Sequence, residues 1–153
     1  MKKKTLLILM VFCSLILFGC GKKEEEKVFT FKFQGVDITP GKKFDKDKME
    51  SMPEESEVPD CALGGTGYMY TFNELEISTS EDQTIYSVYF IDPGLETTEG
   101  ISKGASIEDV KKAYGTPTRE EKDEYIYKRG NVELSFVFHN DSVSIIEYTL
   151  GRE

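Results

Sequence analysis

The chain has 153 residues, with 28 acidic against 19 basic side chains and a formal charge of −9. That balance disfavours nucleic acid and an anionic bilayer surface as partners, since both reward clustered lysine and arginine. It is long enough for one compact domain or two small units sharing a core.

Residues 1–19 read as a targeting signal. Lys2, Lys3 and Lys4 precede an apolar run from Thr5 to Phe18, shorter than the roughly 20 residues a membrane span needs. The run ends in Leu17-Phe18-Gly19-Cys20, which resembles the lipobox of bacterial lipoproteins. That resemblance implies that Cys20 is lipidated and becomes the new N-terminus, with the protein held on the extracytoplasmic face of the cell membrane. Losing three lysines with the signal takes the charge from −9 to −12, so attachment rests on the lipid rather than on a basic patch. Residues 20–27 form a charged tether. Of the three cysteines, Cys13 leaves with the signal and Cys20 carries lipid, so Cys61 stands alone and no intramolecular disulfide is expected.

Residues 28–94 read as a first α+β unit. Val28 to Gln34 alternates, with Phe29, Phe31 and Phe33 on one face, and predicts a half-buried strand that Val36 to Ile38 continues after Gly35. Pro40-Gly41 marks a turn. Asp45 caps a short helix over 46–51, stapled by Phe44 and Met49, and Pro53 ends it. Residues 53–67, rich in proline, glycine and acids, predict a long surface loop through Cys61. Strands follow over 68–72, 74–79 and 84–91.

Residues 95–153 read as a second α+β unit. Ser106 and Asp109 form a capping box for a helix with Ile107, Val110, Ala113 and Tyr114 on one stripe. Gly115 and Pro117 stop it. Residues 120–124 are charged. Strands then cover 125–128, 132–139 and 143–150, the middle one alternating Val132, Leu134, Phe136 and Phe138. Tyr68 and Tyr70 match Tyr125 and Tyr127 at an offset of 57, and Ile38 and Gly41 match Ile101 and Gly104 at 63. The expectation is therefore an α+β fold. An antiparallel sheet would carry short helices on one face, built from two tandem helix–three-strand repeats.

The motif Gly104-x-Ser106-x-x-x-Val110-x-x-x-Tyr114-Gly115-x-Pro117 resembles the helix motif of small bacterial envelope domains. These include the small lipoprotein of the outer-membrane barrel assembly machine and the tandem-repeat β-lactamase inhibitor protein. The resemblance implies helices packed on one face of an antiparallel sheet, and it transfers no inhibitory or binding residue. The whole chain also resembles envelope lipoproteins of Gram-positive bacteria, which supplies a location and no activity.

Catalytic readings fare poorly. Cys61 and His139 have no local support as nucleophile and base, and a small buried thiol with a strand-edge imidazole is the plainer account. Asp45, Asp47 and Glu50 lack the length and glycine of a calcium loop. Gly64-Gly65-Thr66-Gly67 lacks the lysine and following helix of a phosphate loop. No catalytic residue, metal site or cofactor is assigned. The chain reads as a lipid-anchored envelope binding module, not an enzyme, with Tyr68, Tyr70, Tyr125 and Tyr127 as candidate partner-binding residues where they face solvent, a sheet core being the plainer place for these rings. The sheet face opposite the helices would meet a basic or neutral envelope partner, and nucleic acid is not expected. The alternative is an enzyme or enzyme inhibitor whose site is assembled from loops.

Overall fold

The computed structural model describes residues 28–59 and 65–151. Cys20 and Cys61, and with them the signal and tether, lie outside the described residues. No helix among those described is long and apolar enough to cross a membrane.

The fold is mostly β, which corrects the α+β expectation. Strand makes up 50% and helix 9%, with a single α-helix, so helices do not layer one face of the sheet. Two strands, β1 (Phe31–Phe33) and β2 (Val36–Ile38), form a separate hairpin. Eight more form one antiparallel sheet: β3 (Glu54–Pro59), β4 (Thr66–Thr71), β5 (Leu75–Ser80), β6 (Ile85–Phe90), β7 (Arg119–Glu121), β8 (Glu124–Arg129), β9 (Val132–His139) and β10 (Ser142–Leu150). Their spatial order is β3-β4-β5-β6-β10-β9-β8-β7. The helix α1 (Ile107–Tyr114) lies between the two groups in sequence.

Each half of the sheet is thus a four-strand meander, not a helix with three strands. The two extra strands come from segments read as charged loop. Both are edge strands, β3 rich in glutamate and β7 reading Arg-Glu-Glu, and both are largely exposed. An edge needs no apolar alternation, and charge there blocks pairing with another chain. The first half also lacks its helix. Asp45 caps only a 3-10 turn at Lys46–Lys48, while Phe44 and Met49 on either side are buried. Three turn residues between lysines give no apolar stripe to hold a longer helix against the sheet.

The meanders meet at β6 and β10, where Val88 pairs with Tyr148. Tyr70 opposes Ile77 in the first half, and Tyr127 opposes Leu134 in the second. The chain enters each half alike. The Gly41 amide donates to the Ile85 carbonyl, and the Gly104 amide donates to the Val143 carbonyl. Both glycines hold φ near +85 to +89°, a left-handed conformation that side chains rarely adopt.

One side of the sheet is filled. Phe90, Tyr148, Leu134, Phe136 and Val88 are among its fully buried side chains, and Phe29, Phe31 and Phe33 of the N-terminal segment cover them. Phe31 stacks on Tyr148 at 5.3 Å and meets Phe90 edge-on at 5.2 Å. Helix α1 brings Val110 and Tyr114 onto the same side, Tyr114 lying 5.2 Å from Phe136. The capping box forms, with the Asp109 amide donating to Ser106 Oγ at 3.1 Å and the Ser106 amide to Asp109 Oδ2 at 3.2 Å.

Candidate binding surface

The tyrosine pairs do not face solvent, which corrects the expected contact residues. Tyr70, Tyr125 and Tyr127 are 2%, 7% and 4% exposed, and Tyr68 is half-buried on the same side. Their cross-strand partners decide this. Tyr70 and Tyr127 sit opposite Ile77 and Leu134, so they share the apolar side of the sheet. Their hydroxyls find partners at its rim. Tyr70 donates to Gln83 Oε1 at 2.6 Å and Tyr127 to the Gly115 carbonyl at 3.3 Å. These tyrosines serve as core residues with a polar tip.

Burial makes four of the chain's tyrosines poor acids. It pushes Tyr127 up to about 12, and raises Tyr70, Tyr114 and Tyr148 above the ordinary tyrosine value. The stability this contributes is fully present below about pH 10 and is lost as pH rises through the raised values. An alkaline titration followed by phenolate absorbance is expected to leave these four rings protonated until the sheet itself unfolds. Phenolate formation at any of these four rings in a still-folded chain would contradict their placement.

A polar cluster lies beneath the N-terminal segment. Glu99 accepts from Tyr114 Oη at 2.7 Å and from Arg129 at 2.6 Å, and the Arg129 guanidinium lies 4.3 Å from the Phe29 ring. Beside it runs a cleft of about 370 Å³ lined by residues including Glu99, Ile101, Asp109 and Lys112. Its two carboxylates are already committed, Glu99 to Tyr114 and Arg129, and Asp109 to the helix cap. His139 is exposed at the end of β9, and Asp45 pairs with Lys48 at 3.1 Å while capping its turn.

Among the described residues the other side of the sheet is less covered, although Ile126, opposite Ser135, is buried there. Residues interleaved with the core positions are partly exposed on every central strand: Glu76 and Ser78, Ser87 and Tyr89, Glu147 and Thr149, Glu133 and Ser135. The strand register joins them into two rows across the strands. One reads Glu76–Tyr89–Glu147–Ser135 and the other Ser78–Ser87–Thr149–Glu133. Glu76 and Ser78 recur as Glu133 and Ser135 at the offset of 57, so the two halves present the same acid and hydroxyl at matching places. Ser87 Oγ donates to Glu147 Oε1 at 2.6 Å across the central strand pair. Glu133 pairs with Lys128 at 3.7 Å. The ion pairs among the described residues include neither Glu76 nor Glu147. The signal for this surface was in the alternation of β5, β6 and β10, but its composition as a surface needs the register between strands. Comparison with protein-family models, curated proteins and solved structures finds no match to this chain.

Proposed function

We propose that this chain is a lipid-anchored binding module of the cell envelope, and that it takes a basic protein segment on the open face of its sheet. The observation that carries the reading is the difference between the two sides. One is sealed by the N-terminal hairpin and α1. The other presents partly exposed carboxylates and hydroxyls around Tyr89, interspersed with Met69 and Val137. An antiparallel sheet with one solvated side is stable without a partner, so the face is ready to bind rather than waiting to be buried. Its unpaired acids, Glu76 and Glu147, favour a cationic partner and speak against self-association through the same face. The chain's acidic balance acts in the same direction at longer range. The cleft beside α1 offers little support for a loop-built enzyme or inhibitor site, since both of its carboxylates are engaged within the fold.

Anchoring is tested separately from binding. Cys20→Ser is expected to leave an unprocessed precursor without the lipid mass, read by mass spectrometry of the membrane fraction. Normal processing and equal membrane retention in that variant would remove the anchor from the account. Binding is tested by titrating the full-length chain, in a neutral detergent, with a blocked peptide of alternating lysine and serine. Affinity should fall as salt rises through the range where the Debye length shortens from about 10 to 3 Å.

A further inference from the structure

The open face already holds one cation, and it belongs to the chain itself. Lys103, in the turn before α1, places its Nζ 5.1 Å from the centroid of the Tyr89 ring and donates to the Ile91 carbonyl at 3.1 Å. Tyr89 points away from the core, between the buried Val88 and Phe90. Its cross-strand partners are Glu76 on one side and Glu147 on the other. Directly opposed residues bring their Cβ atoms to about 4.5–5.5 Å, so the Tyr89 side chain stands between two glutamates, of which Glu147 also accepts from Ser87 Oγ at 2.6 Å. An aromatic face flanked by acids is the arrangement that attracts an ammonium or guanidinium group. Lys103 uses only the ring and a carbonyl and leaves both carboxylates without an ion pair.

We propose that Glu76, Tyr89 and Glu147 form a cation-accepting subsite, filled in the free protein by Lys103 and taken by a lysine or arginine side chain of the partner. This rests on the open face being the binding surface. Lys103 is then an internal competitor: its ammonium covers the ring until a partner cation that also engages the carboxylates displaces it. Its hold is that of a single partly exposed lysine, so displacement costs little. The partner thereby gains two carboxylates that the internal lysine does not pair with. Binding selects for a side chain that reaches the ring and the acids together.

The experiment compares three variants of the full-length chain with the lysine–serine peptide. Lys103→Met keeps the aliphatic stem and removes the competing charge. Lys122→Met makes the same change in charge at a lysine 92% exposed and remote from this face in the register. Tyr89→Leu removes the ring. Lys103→Met should tighten binding about threefold beyond Lys122→Met, and Tyr89→Leu should weaken it about threefold. Thermal melts near that of the parent chain show that each variant is folded. Equal effects of Lys103→Met and Lys122→Met, or unchanged affinity in Tyr89→Leu, would overturn the subsite. If the peptide still depends on Glu76 and Glu147 in that case, the face reading stands and only the subsite falls. If the parent chain does not bind the peptide, both fall.

Discussion

Phe31→Ala is expected to destabilise the protein by about 3–5 kcal/mol, the range for removing a fully buried aromatic side chain. The reason lies in how the N-terminal hairpin is held. Its strands pair with each other over three residues, and its ladder does not join the eight-stranded sheet. Burial must therefore hold it in place, and Phe31, 1% exposed between Phe90 and Tyr148, is its central contact. Phe29 and Phe33 flank it, and they cannot close over a missing ring without moving the backbone. Against a total stability of about 5–15 kcal/mol, the loss amounts to about a fifth or more. In a chain of this size each kilocalorie lowers the melting temperature by about 2–6 °C, so a fall of about 10–20 °C is expected by circular dichroism. Lys32→Ala, on the exposed side of the same strand, should change the melt little. A Phe31→Ala chain that melts within a few degrees of the parent would mean that the hairpin is not part of the core.

The first strand of this hairpin was legible in the sequence, whereas Val36 to Ile38 reads as its continuation and instead turns back to pair with it. Three phenylalanines at alternate positions, followed by a glycine at a turn, specify a strand with one buried face. The capping box of α1 and the alternation of β9 were legible for the same reason: each depends on residues close in sequence. Edge strands were not. Glu54 to Pro59 and Arg119 to Glu121 look like solvated loop because an edge is selected for charge, and only their neighbours β4 and β8 reveal them as strands. The tyrosines were read both as core and as candidate contacts, and only the core reading holds. Alternation puts Tyr68 with Tyr70 and Tyr125 with Tyr127, but it does not say which side the set faces. The register against Ile77 and Leu134 does. The meeting of Glu76, Tyr89 and Glu147 could not be read either. Three residues from three strands become neighbours only through pairings separated by up to 58 positions in the chain.

The central claim concerns charge on that face rather than charge in general. Glu76→Lys with Glu147→Lys places two cations in the middle of the array and removes both unpaired acids. Partly exposed groups in the middle of a polar sheet face tolerate this change with little loss of stability. Binding of a cationic segment should not tolerate it, because attraction at two positions becomes repulsion. Affinity for the lysine–serine peptide is expected to fall by about tenfold or more. A matched control separates the face from the net charge. Glu57→Lys with Glu81→Lys makes the same change in charge at exposed residues of the β3 edge and the β5–β6 turn. The most direct measurement is therefore calorimetric titration of both double variants with this peptide at one fixed ionic strength. The account predicts loss of binding in the Glu76/Glu147 variant and near-parental binding in the Glu57/Glu81 variant. Equal weakening in the two would show that the peptide responds to the protein's overall charge, and would contradict a binding site on the open face.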